Sequence, residues 1–346
     1  MTDKNLDYRE RVLATLRGEQ VHPKAVFSGM GNLTIHGLKD KGWRFPEIHL
    51  DSHKMASAAA STYKLFGLES VVVPFDMGVE AEALGCGINY YEDADQILYP
   101  TVSAKVADRV DEWDLHLPDK PLEKGRIHVV VDAIKELKET VGGEVAVGAW
   151  VLGPYTLAGQ LFELDDLFKK SFKKPDAVHR ALDVLEVFLI DLAKLYREAG
   201  ADYMTVREMG GGGDILSPRM FGSLIQPHLQ KIFSALESPK ILHICGDTNL
   251  IIEQMADCGA DAVSVDQKNN LRETRRKLGD DVILLGNLDP YNVLVAGTPE
   301  QIEETVKDII DSNVNAVWPG CDIWPDVPRE NMKALIEVTH RHGRRV

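Results

Sequence analysis

Eight short apolar runs, most of them separated by segments with helical spacing, constrain the fold more than any other feature of this chain. They read AVFSGMG (25–31), VVVPFD (71–76), EVAVGAW (144–150), DYMTVRE (202–208), KILHIC (240–245), AVSVD (262–266), DVILLGNLD (281–289) and NAVWPGC (315–321). Strands buried on both faces need such unbroken apolar runs, and helices between them supply the crossovers of a parallel sheet. The expected fold is therefore α/β, a single (β/α)8 barrel of the TIM type over residues 1–346. With 346 residues, 44% of them hydrophobic, the chain can bury one large core.

The helix signals between these runs are specific. Val12, Leu13 and Leu16 share one face over 8–17. Asp51 stands where it can cap a helix that stops at Gly67. Further helices are predicted near 127–140 and over 176–199, the second with apolar residues from Val178 to Tyr196 at helical spacing. Ser217 and Pro218 open another, Asp247 or Thr248 caps one that ends at Gly259, and Thr298 and Gln301 have capping-box spacing. Two segments stand outside the repeat. The residues before Phe27 form an N-terminal extension, and 87–103, GINYYEDADQILYPTVS, predict a small β-hairpin insertion.

In barrels of this kind the chemistry gathers at the C-terminal ends of the strands. That rule selects Met30, Asp76, Trp150, Glu208, His243 with Cys245, Asp266, Asn287 with Asp289, and Cys321. Side chains two apart on a strand point the same way, so His243 and Cys245 project together. An imidazole and two thiolates supply three positions of a tetrahedral zinc site and leave the fourth for substrate. Buried cysteines otherwise pack as small hydrophobes, and it is the strand-end position that favours a metal role here. Cys86 and Cys258 lack that position, and Cys258, just before Gly259, reads as structural. Four cysteines are too few for a disulfide framework and are expected to be free thiols.

The acidic residues carry two readings each. Glu80 and Glu82 either favour a helix N-terminus or provide a fourth, exchangeable metal ligand or proton acceptor. Glu208 and Asp266, at the ends of their runs, compete for that catalytic role. Asp76 reads as substrate-positioning or structural. Trp150 and Trp324 either line a pocket for a flat substrate or pack internally. The run Gly210–Gly213 lacks the Lys and spacing of a phosphate loop and reads as a mobile loop at the barrel mouth.

Charge and hydropathy narrow the partners. A formal net charge of −15 without a Lys/Arg cluster excludes a nucleic-acid-binding role, and no run approaches the roughly 18 apolar residues of a membrane span. The N-terminus, MTDKNLDYRERV, has no hydrophobic signal core, which places the protein in the cytoplasm. A homodimer is compatible with the sequence.

Several stretches resemble the uroporphyrinogen decarboxylase superfamily: RVLATLRGE (11–19), PFDMGVEAEALG (74–85), HICG (243–246), GNLDP (286–290) and PGCDIWPDVPRENMKAL (319–335). The likeness runs over nearly the whole chain. Within it, HxC followed by a later PGC is similar to the corrinoid-dependent methyltransferases, which include methylcobamide:coenzyme M enzymes and the methyltransferase components of O-demethylases. The resemblance implies a Zn2+-binding barrel that works with a separate corrinoid (cobalamin) protein, with His243, Cys245 and Cys321 as the metal ligands. The decarboxylase itself fits poorly, because 25–35 reads AVFSGMGNLTI, without the arginines that bind porphyrinogen carboxylates. Of the two directions of methyl transfer, the indole of Trp324 beside the third ligand favours demethylation of an aromatic methyl ether of the methoxyphenol type. The alternatives are methyl transfer from methylcobamide to a thiol, and a non-catalytic barrel stabilised by zinc.

Overall fold

The computed structural model describes residues 6–343. Its strands are β1 (Ala25–Val26), β2 (Ser70–Val73), β3 (Gly87–Asn89), β4 (Thr101–Ala104), β5 (Ala146–Leu152), β6 (Tyr203–Arg207), β7 (Lys240–Ile244), β8 (Ala262–Val265), β9 (Ile283–Leu288) and β10 (Ala316–Pro319). Eight of these form one parallel ladder in the order β1-β10-β9-β8-β7-β6-β5-β2, and β3 and β4 pair antiparallel as the expected hairpin. The outer strands of the ladder meet where Glu69 N donates to Val26 O (3.1 Å) and Ser28 N donates to Ser70 Oγ (2.9 Å). The sheet thus curls into the (β/α)8 barrel, with helices packed around it.

Every residue of β2, β5, β6, β8, β9 and β10 is buried. That burial explains why these strands read as unbroken apolar runs rather than as alternating ones. Most of the ladder segments are shorter than their runs. AVFSGMG keeps only Ala25 and Val26 in the ladder, because from Ser28 onward the backbone turns to side chains: Ser28 N bonds the Ser70 hydroxyl, and Met30 N bonds Ser28 Oγ (3.1 Å). The trailing residues of the runs, Glu208, Cys245, Asp266 and Cys321 among them, therefore lie just past the strand ends.

The caps mostly follow the sequence. Asp51 accepts from Lys54 N (2.8 Å), and the helix Ser52–Phe66 ends at Gly67 with φ 80°. Thr298 and Gln301 form a reciprocal capping box on Pro299–Asp311. The expected cap before Gly259 is a correction. The helix is only Ile252–Ala256, capped at Ile251. Asp247 and Thr248 have local partners instead, with Asn249 N donating to Asp247 Oδ1 (2.9 Å) and Thr248 Oγ1 donating to Asn269 Oδ1 (2.8 Å). Two helices, Pro154–Leu161 and Leu164–Lys173, fill a stretch in which none was assigned. Among the described residues no helix is long and apolar enough to cross a membrane.

The two ends of the barrel differ in chemistry. At the N-terminal end, Arg11 on the helix Tyr8–Leu16 donates to Glu69 Oε1 (2.7 Å), and His340 Nε2 lies 2.5 Å from the same oxygen. A cavity of about 690 Å3, lined by Arg9, Leu13, Arg197, Asp202 and Ile283 among others, also opens there. The residues singled out for chemistry stand at the opposite end.

Candidate metal centre

His243 lies on β7 with its side chain fully buried. Its Nδ1 is 2.9 Å from Ser264 Oγ on β8, and the two residues are in-register partners. Its Nε2 is 3.0 Å from Cys245 Sγ, which is 3.3 Å from Cys321 Sγ. One donor atom from each of the three residues lies within 4.8 Å of the others. Two glycines make this approach feasible. Gly246, at φ 85°, turns the chain directly after Cys245. At Gly320, before Cys321, a Cβ would come within 2.8 Å of Gln267 N, so the chain passes only without a side chain.

The donor set fits zinc. Tetrahedral Zn2+ with Zn–S bonds of about 2.3 Å separates two sulfurs by about 3.8 Å, so the thiols need to move apart by only a few tenths of an ångström. Placing the imidazole proton on Nδ1, where Ser264 accepts it, leaves the Nε2 lone pair facing the thiols. Burial, and then the nearby Arg207 charge, push the His243 pKa down to about 3, so the ring is neutral. The contact with Cys321, together with burial, raises the Cys245 pKa, and the same contact lowers that of Cys321. Ser264→Ala is expected to cost about 10–100-fold in metal affinity, the usual effect of losing such a supporting hydrogen bond. Competition with a chromophoric chelator measures this, and unchanged affinity contradicts the role given to Ser264.

A cation that sequence reasoning missed stands beside these ligands. Arg207, the last residue of β6, is the in-register partner of His243. Its guanidinium is buried, lies 4.5 Å over the Trp150 ring, and donates to Asp322 at 2.5 and 3.2 Å. A charged residue inside an otherwise apolar run was the available signal. Trp150 is accordingly a buried platform, with Nε1 donating to Pro74 O (2.8 Å).

The other selected residues fall into distinct places. Glu208 is fully buried and caps the helix Pro154–Leu161, accepting from Tyr155 N and Thr156 N (both 2.9 Å) and from Thr156 Oγ1 (2.5 Å). Burial still pushes its pKa up to about 7. Glu82 pairs with Arg126 Nε (2.8 Å) and accepts from Tyr90 OH (2.6 Å). Asp76 takes both Nη atoms of Arg126 (2.8 and 3.0 Å) and lies 2.9 Å from His49 Nδ1. These partners hold its pKa well below the usual carboxylate range against the effect of burial. Asp266 Oδ1 accepts from Lys268 N (2.9 Å) within its own turn. Met30 is fully buried in the core, whereas Trp324 is half-exposed and packs on Tyr291 with ring centroids 5.2 Å apart. The glycine run is tied down rather than loose: Gly210 N donates to Thr156 Oγ1 (2.9 Å) and Gly213 N to Asp247 O (2.8 Å).

Glu80 differs from the other carboxylates. Its Oε1 accepts from Leu152 N (2.9 Å), while Oε2 is buried without a partner. Burial raises its pKa from 4.5 to about 7. The protonated Glu80 carboxyl contributes stability that is fully present below pH 4.5 and is lost as pH rises to about 7. The amide of Glu80→Gln does not titrate, so the variant is expected to gain about 3 kcal/mol on the native protein between those limits. Urea unfolding across the range tests this, and a pH-independent difference refutes it.

A (β/α)8 barrel with an imidazole and two thiols converging at its C-terminal rim carries a donor set that could hold a soft metal ion. The uroporphyrinogen decarboxylase (URO-D) family pattern matches residues 7–342. The chain belongs to the uroporphyrinogen decarboxylase family. Over 329 residues it is 34% identical to the methylcobamide:CoM methyltransferase MtaA of Methanosarcina barkeri, covering 95% of this chain and 96% of that one. It is 27% identical to a methylated-thiol–coenzyme M methyltransferase of Methanosarcina mazei, covering 95% and 88%. A solved methyltransferase from Methanosarcina mazei superposes with a TM-score of 0.91 at 32% identity, covering 97% of this chain and 99% of that one.

Proposed function

We propose that the chain is a corrinoid-dependent methyltransferase that moves a methyl group from a methylated corrinoid, carried by a separate protein, to a thiol. The observation that carries this reading is the convergence of His243, Cys245 and Cys321 at the barrel rim, in a chain related along nearly its full length to methylcobamide:CoM methyltransferases. Coenzyme M reacts through a thiol, and both kinds of named relative use it. The aromatic-ether reading rested on Trp324 forming a flat pocket beside Cys321. A half-exposed indole stacked on Tyr291 gives it little support.

His243 Nε2, Cys245 Sγ and Cys321 Sγ would hold Zn2+, which supplies Lewis acidity and lowers the pKa of a thiol placed there. No fourth His, Cys, Asp or Glu joins the three among the described residues, which supports an open position and weighs against a purely structural zinc barrel. The protein's own share is clear. Ser264 fixes the imidazole, burial keeps that imidazole neutral, and Arg207 offsets the negative charge of the thiolates. In the transfer the S–C bond forms as the Co–C bond breaks, the electron pair stays on cobalt as Co(I), and the thiol proton passes to solvent.

Anaerobic absorption spectroscopy tests the reading. Zinc-loaded protein mixed with methyl-Co(III) corrinoid protein and a thiol is expected to consume methyl-Co(III). With Co(I) corrinoid protein and a methoxyphenol such as guaiacol, no change is expected. The reverse pattern overturns the thiol reading in favour of ether demethylation.

A further inference from the structure

We propose that the helices leading into β6 and β7 share a second metal site, in which Asp183, Glu186 and His228 hold a divalent transition-metal ion such as Zn2+. The site is remote from the rim and independent of the thiol reading. His179, Asp183 and Glu186 fall at i, i+4 and i+7 of the helix Pro175–Glu198, on one face of it. His228 reaches the same place from the helix Gln226–Ala235. One donor atom from each of Asp183, Glu186 and His228 lies within 4.8 Å of the others. His228 Nδ1 is 2.7 Å from Glu186 Oε2 and 3.7 Å from Asp183 Oδ1. Tetrahedral Zn2+ with Zn–N and Zn–O bonds of about 2.0–2.2 Å sets such donors about 3.4 Å apart, so both separations change by well under an ångström.

Two further observations point to a cation there. The far nitrogen of His228, Nε2, is 2.9 Å from His179 Nδ1. A proton on Nε2 that donates to His179 leaves the Nδ1 lone pair facing the carboxylates, the arrangement in which a supporting group holds a metal-binding imidazole. A cation also stands between the two acids already, since Lys231 Nζ donates to Asp183 Oδ1 (2.8 Å) and Glu186 Oε1 (2.9 Å). Glu186 and His228 are 9% and 3% exposed, whereas the Lys231 side chain is 53% exposed, so the ammonium can withdraw into solvent as an ion enters. Chain order gives the site its use. Pro175–Glu198 leads into β6, which ends at Arg207, and Gln226–Ala235 leads into β7, which carries His243. An ion shared by these helices braces the two strands on which the rim centre is built. Were the cluster only a hydrogen-bonded clamp, Lys231 would be one of its supports and its removal would not favour a metal.

Equilibrium dialysis against zinc, with metal content read by mass spectrometry, tests the site, and Co2+ spectra tell it from the rim. Cobalt at the rim has thiolate ligands and shows sulfur-to-metal charge transfer, whereas cobalt on oxygen and nitrogen donors does not. The rim thiolates take the first ion, and the native chain is expected to take up a second after the charge-transfer band has saturated. Asp183→Asn, at a half-exposed side chain, and His228→Ala are each expected to weaken that second ion more than tenfold and to leave the band unchanged. Loss of a mere supporting hydrogen bond to a ligand already costs about 10–100-fold. Lys231→Met removes the competing ammonium and is expected to tighten the second ion severalfold. In Cys321→Ala, zinc is expected to raise the thermal midpoint through this site, and adding Asp183→Asn is expected to remove that rise. The proposal is overturned if the native chain saturates with the rim ion alone, if Asp183→Asn leaves the second affinity or the thermal rise unchanged, or if Lys231→Met weakens the second ion. Should His228→Ala fail to fold, Asp183→Asn and Lys231→Met decide. An ion bound without any charge-transfer band, and lost in Asp183→Asn, supports this site and counts against the rim centre.

Discussion

Cys321→Ala is expected to lose its metal and its methyl transfer together while keeping its fold. Loss of a supporting hydrogen bond to a ligand costs about 10–100-fold in metal affinity, and loss of one of three protein ligands must exceed that. The thiol is half-buried and follows β10, whose residues Ala316–Pro319 remain packed without it. Metal content by mass spectrometry is expected to fall well below one per chain at a free-zinc level that just saturates the rim centre of the native protein. Turnover should fall in parallel, with a small change in thermal midpoint. Cys258→Ala is the matched control. That thiol is fully buried 3.3 Å from Gln254 O, outside the centre, and burial raises its pKa to about 12. Full transfer rates in metal-free Cys321→Ala would remove the metal from the mechanism.

Glu69→Ala is expected to destabilise the barrel by about 3–5 kcal/mol, the usual cost of removing one partner from a buried ion pair. The Glu69 side chain is fully buried and that of Arg11 is 7% exposed. Removing the carboxylate leaves the guanidinium facing a low-dielectric interior with Leu6 O, His340 and the Tyr8 ring beside it, and no carboxylate partner among the described residues. Three segments distant in sequence are released at once: the first helix, the entry to β2, and the helix Arg329–His342. Urea unfolding reads the loss directly. The paired change Arg11→Met with Glu69→Leu is expected to recover most of it, since no charge is then stranded. If the double variant is as unstable as Glu69→Ala, the cost comes from packing rather than from the unpaired charge.

The architecture was legible because a barrel strand buried on both faces leaves an unmistakable apolar run, and eight such runs admit few alternatives. Residues two apart on a strand and residues at strand ends were equally readable, which brought His243, Cys245 and Cys321 forward as a set. What escaped were the interactions that depend on strand register and on helices distant in sequence. Glu208 looks like a catalytic carboxylate in DYMTVRE, yet its oxygens are taken by the N-terminus of a helix that starts 54 positions earlier in the chain, at Pro154. Ser264 is an ordinary small residue in AVSVD until its register with His243 is known. Arg207 draws its meaning from Trp150 and Asp322, which lie 57 residues before it and 115 residues after it. The cap expected at Asp247 or Thr248 failed for a related reason, since Asn249 and Asn269 compete for those side chains.

The barrel has a seam. Between β1 and β2 closure depends on one backbone bond, Glu69 N to Val26 O, and one bond to a hydroxyl, Ser28 N to Ser70 Oγ. Neighbouring pairs such as β5 with β6 are laddered over five residues. Local opening draws on the least-bonded part of a structure, so the amide protons of Ser28 and Glu69 are expected to exchange with deuterium ahead of those of β6 and β7. The seam leads upward into the loops that carry Met30 and Asp76, on the side of the mouth away from β7. In the ladder order β7 stands opposite this seam, so a parting along that line leaves the strand that holds His243 in place.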